Sequence, residues 1–262
     1  MRRRCGSLRV SIMSGEAAGT IVRVVRLLRC LAEAEGDVSI TELSRLMGLA
    51  PSTIHRLLNL LLQEGMVARS EARSLYQPGM EFIRLGALVT RRSRIGEVAR
   101  GFMQAMVDDA GEACMLTQLL PHEEKVMVTA AIASPHPLRY AIDMFQGSDL
   151  TRGATGLSIL AFLPDERISG IVEAEREPKE RDAVLAEIAR VRERGYALTR
   201  GQKIPGAVGL GAPVFNADNK VVAALCVTIP EQRFDEAQAD RLAELLLTQA
   251  RGLSQTLGHH PR

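Results

Sequence analysis

No uninterrupted apolar run in the sequence approaches the roughly 20 residues that a bilayer-spanning helix needs, so no membrane span is expected. Cysteine is sparse, and Cys5, Cys30, Cys114 and Cys226 stand far apart with no CxxC pair. That spacing argues against a disulfide framework or a zinc site and fits unpaired thiols in a reducing cytoplasm. The histidines (His55, His122, His136, His259 and His260) form no HExxH or other ligand spacing, so no metal is expected. No G-x-S-x-G, Walker A or G-x-G-x-x-G motif is complete; "GATGLS" and "GLGAP" come nearest. No Ser/His/Asp set is suggested either, so an enzyme is the weaker alternative and no cofactor is expected. The opening "MRRRCGSLRVSIMSGE" is basic but lacks the apolar segment of a secretory signal. It reads as a flexible extension over residues 1–16, or as sequence upstream of a true start at Met13.

What the sequence does contain is ordinary in amount and uneven in placement. Its 262 residues, 46% apolar and 24% charged, suit one or two globular domains with ample core. Residues 1–100 carry 16 arginines, no lysine and 9 acidic residues, a net of +7, whereas the remainder carries 17 basic and 22 acidic residues, a net of −5. A basic N-terminal third on an acidic body is the footprint of a nucleic-acid module joined to something else.

The pattern within that third is specific. Thr20 can cap a first helix bearing Ile21, Val24, Val25, Leu28 and Leu31 on one face, with Gly36 beyond its end. Ser39-x-x-Glu42 forms a capping box that opens a short helix to about Met47. Gly48 follows as a tight turn, and Pro51 suits the first turn of the next helix, where its missing amide hydrogen costs nothing. That helix carries Ile54, Leu57, Leu58, Leu61 and Leu62 as one apolar stripe and Ser52, His55, Arg56 and Asn59 on the opposite face. Gly65 stops it, and two short strands, Met66–Arg69 and Ser74–Gln77, flank a charged turn. Helix, helix, turn, helix, hairpin is the order of a winged helix-turn-helix.

A long helical stretch from Gly79 to about Ala110 is interrupted near residues 90–96 and reads as a linker helix, a break, and the first helix of a second domain. Strands are expected at "CMLTQLL", "KVMVTAAI" and "LRYAIDMF". Helices follow at "GATGLSILAFLP", "PDERISGIVEAE" and "PKERDAVLAEIARVRERGY", the last with Val184, Leu185, Ile188 and Val191 inward. Further strands at "YALTR", "AVGLGAPVF" and "KVVAALCVTIP", the latter two joined by the polar turn "NADN", precede a final helix over Asp235–Leu257. The class is α+β with an antiparallel sheet.

From about residue 19 to 257 the chain resembles the IclR family of bacterial transcription factors. The matching words are "VRVVRLLRCLAEAEGDVSITELSRLMGLAPSTIHRLLNLLLQEGMV", "PLRY", "GATGLSILAFLPDE", "VRERGYALTRGQKIPGAVGLGAPVF" and "KVVAALCVTIP". The resemblance implies a winged helix-turn-helix over residues 17–78, a linker helix over 79–92, and a GAF-like effector-binding domain over 93–262. It also implies a repressor or activator, a dimer or tetramer, controlled by a small organic acid or aromatic catabolite. There are departures from the family pattern. Asp149 and Thr151 stand where a proline and a histidine are usual, Leu157 replaces a lysine, and Gln202 replaces a glutamate.

In the first domain Ser52 and Thr53 can contact base edges or phosphates at the recognition-helix start. Arg56 can bind guanine bidentately or hold a phosphate, with His55 and Asn59 beside it, and Arg73 at the wing tip is a phosphate candidate. In the second, Gly153–Gly156 opens a helix whose free amides and dipole favour a carboxylate. The family uses this loop, with the segment matching Pro205–Ala212, to line its pocket. The candidates are therefore Ala154, Thr155, Gly156, Val208 and Gly209, and tight packing is the competing account of the glycines. Arg139 and Arg152 can pair with an anion or be surface charges, and Cys226 sits on an inner strand, more simply as a buried small residue than as a redox sensor. A DNA-binding dimer with no ligand remains the alternative function.

Overall fold

The computed structural model describes residues 19–70, 74–92, 94–120, 122–175 and 177–260. The expected N-terminal extension, the alternative start at Met13 and Arg73 lie outside them. The chain forms two compact units, residues 1–92 and 93–262. Among the described residues no helix is long and apolar enough to cross a membrane.

The first unit runs α1 (Thr20–Glu33), β1 (Val38–Ser39), α2 (Ile40–Met47), α3 (Pro51–Gln63), β2 (Val67–Arg69), β3 (Leu75–Pro78) and α4 (Met80–Arg92). Ser39 Oγ accepts the amide of Glu42 at 3.2 Å, so the cap read from the sequence forms. Gly48 adopts a left-handed φ of 64°, which turns the chain from α2 into α3 at no steric cost. The backbone carbonyl of Ala50 takes the amides of Thr53 and Ile54 at the start of α3. Ile54, Leu57, Leu58 and Leu61 are then buried against Leu27, Leu31, Leu43 and Tyr76. Each such side chain contributes about 1.5–3 kcal/mol before entropy is charged.

Three expectations are corrected here. Thr20 does not cap α1: it is the first helical residue, and Gly19 occupies the cap with no side-chain bond. The buried face of α1 is Leu27, Cys30 and Leu31, while Ile21 and Val25 are exposed, so the apolar residues of this helix divide between two faces. The wing has three strands rather than two, in the order β1-β3-β2, because Val38 pairs with Tyr76 across a two-residue strand too short to show in the sequence. Where β3 meets α4, a Cβ on Gly79 would sit 2.1 Å from the carbonyl oxygen of Gly65. Only glycine permits that crossing.

The second unit contains α5 (Arg94–Ala110), β4 (Ala113–Leu120), β5 (Lys125–Ile132), β6 (Gly147–Asp149), α6 (Gly153–Leu160), α7 (Asp165–Glu173), α8 (Pro178–Arg194), β7 (Ala197–Arg200), β8 (Ala207–Phe215), β9 (Val221–Pro230) and α9 (Ala239–Thr256). Its antiparallel sheet has the order β6-β5-β4-β9-β8-β7. One face is covered by α5 and α9, through residues such as Met103, Met106, Leu246 and Leu253. The other is covered by α6, α7 and α8, through Leu157, Leu160, Ile168 and Val191. Along β8, Val208, Leu210, Ala212 and Val214 point into the first core. Gly209 and Gly211 face α6, and a Cβ on Gly211 would lie 2.5 Å from the carbonyl oxygen of Ala154. The glycines of "AVGLGAPVF" therefore let α6, whose residues are all buried, lie directly on the sheet.

"LRYAIDMF" forms no strand. Its alternation arises because Ile142 and Met144 turn toward the core from a looped segment, residues 133–146, that lies over a cavity. Leu185 is 48% exposed on the flank of α8; Ile188 and Val191 are the residues of that helix buried inward. The final helix begins later than expected, at Ala239, after a 3₁₀ turn capped by Asp235.

Candidate functional site

On α3, Ser52, His55 and Arg56 are exposed and Thr53 and Asn59 half-buried, all outside the leucine stripe. Asn59 Nδ2 lies 3.3 Å from His55 Nδ1, a hydrogen bond one turn along the helix. Leu60, 48% exposed, and Gln63 share that outward arc and were not among the residues expected there. At the base of the wing the Arg69 guanidinium stands 5.9 Å above the Tyr76 ring. The face is shaped for groove contact: a rigid helix braced from behind and offering donors and acceptors in front.

In the second unit a cavity of about 200 Å³ lies between β4, the N-terminus of α6 and the segment 133–146. A smaller one of about 40 Å³ adjoins it, and Thr155, Lys203, Ile204 and Thr228 line both. Met115, Val128, Ile142 and Ile204 give the larger cavity an apolar wall, Arg139 and Lys203 bring positive charge to it and Asp143 negative charge, and the Lys203 ammonium also donates to Ser148 Oγ at 3.1 Å. Glu112, only 6% exposed, also lines it but is committed elsewhere. Its carboxylate accepts two bonds from Arg233, at 2.7 and 2.8 Å, which raise the Arg233 pKa. Arg233 in turn donates to the carbonyl of Leu138 at 2.8 Å, and Tyr140 Oη donates to that of Gly206 at 2.7 Å. These bonds pin the wall.

Of the residues expected at the pocket, Thr155 and Arg139 line the larger cavity, and Arg139 also donates to the Ser134 carbonyl at 3.0 Å. Ala154, Gly209 and Cys226 line the smaller one. Three expectations are corrected. Arg152 is exposed and lines neither cavity. Gly156 packs against the backbone: its Cβ would fall 2.5 Å from the Leu150 carbonyl oxygen. Val208 is wholly buried on the opposite face of the sheet, because β-strand side chains alternate and its neighbour Gly209 takes the cavity side. The amides opening α6 are not all free, since Gly153 N–H donates to Gln202 Oε1 at 3.0 Å and Ala154 N–H to Thr199 Oγ1 at 3.1 Å.

Thr155 Oγ1, by contrast, is buried with no hydrogen-bond partner among the described residues. Lys203, Tyr140 and Thr228 were missed. Lys203 adjoins Gln202 in a loop already singled out, but nothing in the sequence folds residues 133–146 over it. Burial pushes the Cys226 thiol up to about 11 and the Cys114 thiol higher still, so both stay protonated at neutral pH. Among the described residues no group of three or more His, Cys, Asp or Glu is placed to hold a metal ion.

A winged helix-turn-helix with an open recognition face, carried with a cavity-bearing α+β unit, defines a DNA-binding regulator. Residues 20–71 match the IclR helix-turn-helix domain, and residues 87–255 match the bacterial transcriptional regulator IclR C-terminal domain. The chain belongs to the IclR family of transcriptional regulators. The regulator Rv1719 of Mycobacterium tuberculosis is 30% identical over 234 residues, covering 86% of this chain and 88% of that protein. The fold is shared with a solved IclR transcriptional regulator from Alicyclobacillus acidocaldarius, with a TM-score of 0.80 at 21% identity over 91% of this chain and 98% of that one. It is also shared with an IclR homologue from Microbacterium hydrocarbonoxydans solved with 4-hydroxybenzoate, with a TM-score of 0.75 at 22% identity over 90% and 98% of the two chains.

Proposed function

We propose that the protein binds an operator as a dimer, through the face of α3 formed by Ser52, Thr53, His55, Arg56 and Asn59, with Arg73 between β2 and β3 in sequence as a phosphate contact, and that a small carboxylic acid held in the second unit controls that binding in the cytoplasm. The observation that carries the ligand reading is Thr155 Oγ1. An unpaired buried hydroxyl costs about 1–3 kcal/mol, and a ligand at the junction of the two cavities supplies the missing bond. With Glu112 paired to Arg233, Arg139 and Lys203 outnumber Asp143 around the cavity and favour an anion, and the apolar wall favours a carbon skeleton. The cavity, at about 200 Å³, is below the usual ligand-pocket range of roughly 300–1,000 Å³, so the acid is small. The 4-hydroxybenzoate bound by the Microbacterium homologue is a ligand of this class.

Thr155→Val tests this directly. Valine keeps the shape and removes the unpaired hydroxyl, so the ligand-free variant is expected to melt at or above the wild-type temperature. In a thermal-shift panel of aliphatic and aromatic monocarboxylic acids, an acid that stabilises the wild type is expected to stabilise the variant less. A panel with no stabilising acid, or a variant that keeps the full shift, contradicts the reading; turnover of an acid supports an enzyme instead.

The dimer reading rests on apolar surface of the first unit that no described residue covers: Ile21 and Val25 on α1, and Ile83 and Val89 on α4, the last two 57% and 69% exposed. Ile83→Glu is expected to convert dimer to monomer in sedimentation velocity and to weaken operator binding. An unchanged oligomer contradicts this assignment of the surface.

A further inference from the structure

The hydrogen bond between His55 and Asn59 constrains what the recognition face can read. Asn59 Nδ2 lies 3.3 Å from His55 Nδ1, and because an amide nitrogen only donates, this contact is a hydrogen bond in the His55 tautomer whose Nδ1 accepts. The neutral imidazole then carries its hydrogen on Nε2. Asn59 Nδ2 has two hydrogens, and one is spent on His55. What remains on Asn59 is one N–H donor and the Oδ1 acceptor, side by side. That pair complements adenine in the major groove, whose N7 accepts and whose N6 amino group donates. Without His55, the Asn59 amide rotates freely about its terminal torsion and presents either orientation.

Resting on the reading of α3 as the groove helix, we infer that Asn59 reads an adenine and that His55 is its positioning residue, holding the amide in the adenine-reading orientation. The half-burial of Asn59 beside the exposed His55 fits these roles, since the reader is partly enclosed by the helix surface and its holder stands outside it. Arg56, on the same face, is left to guanine or phosphate. The two single substitutions then act on one base pair of the operator and on no other.

The test is selection from a randomised double-stranded DNA library by the full-length protein and its variants, each checked for native helix content by circular dichroism. Asn59→Ala and His55→Ala are both expected to lose the adenine preference at one shared operator position, with affinity for the wild-type-selected sequence falling about 5- to 20-fold. The double variant is expected to fall no further than Asn59→Ala alone, and His55→Gln, which keeps an acceptor one turn away, is expected to retain the preference. Nitrogen chemical shifts of His55 are expected to report the Nε2–H tautomer. The inference is overturned if His55→Ala keeps the adenine preference that Asn59→Ala loses, if the two losses add, or if His55 is found as the Nδ1–H tautomer. Failure of the underlying reading looks different: Arg56→Ala, Asn59→Ala and His55→Ala would all select the wild-type sequence with wild-type affinity.

Discussion

Replacing Arg56 by alanine is expected to lower specific operator affinity roughly 5- to 150-fold, the equivalent of about 1–3 kcal/mol for one bidentate base contact. Arg56 is exposed on α3, opposite the buried stripe of Ile54, Leu57, Leu58 and Leu61. Removing it leaves that stripe intact, so stability is expected to change by less than about 0.5 kcal/mol, as for surface substitutions generally. Affinity for unrelated DNA is expected to fall less, because the phosphate attraction of the other arginines in residues 1–100 remains. Gel-shift titrations at fixed salt, with operator and with competitor duplex, separate the two effects. Equal losses on both would make Arg56 a phosphate contact, and an unchanged operator affinity would remove it from the interface.

Gly156→Ala is expected to destabilise the second unit by on the order of 2–4 kcal/mol. The new methyl group would lie 2.5 Å from the Leu150 carbonyl oxygen and 2.6 Å from that of Asp149. Both are backbone atoms, and α6 has no room to retreat, since its other side rests on Gly211 of the sheet. At about 2–4 °C per kcal/mol for a domain of this size, the melting temperature is expected to fall roughly 4–16 °C. The measurement tests the packing role of this glycine. A variant that melts early by calorimetry supports it. A variant that melts at the wild-type temperature contradicts it.

How far the sequence could be read depended on whether the relevant signal was local. Ser39, Gly48 and Pro51 in the first unit act within a few residues of themselves, and the structure uses each as expected, whereas the cap expected at Thr20 falls one residue earlier, on Gly19. Most strands and helices of the second unit were legible from their periodicity for the same reason, but the three-residue β6 was not, and the strand expected at "LRYAIDMF" does not form. The cavity was not legible. Its wall is a segment whose apolar alternation imitates a strand, and its charge comes from Arg139 and Lys203, brought together by contacts more than sixty residues apart in sequence, such as Tyr140 to Gly206. The pocket candidates drawn from β8 illustrate the limit most clearly. Val208 and Gly209 are adjacent in sequence and lie on opposite faces of the sheet, and which one faces the cavity depends on strand register.

The central claim, that a small acid in the second unit governs DNA binding by the first, is tested most directly by one titration. Operator affinity of the full-length protein is measured with and without the carboxylic acid that raises its melting temperature. The account predicts that the acid changes operator affinity and that operator changes the affinity for the acid by the same factor, since coupling between two binding sites is reciprocal. An acid that binds and depends on Thr155, yet leaves operator affinity unchanged, would contradict it.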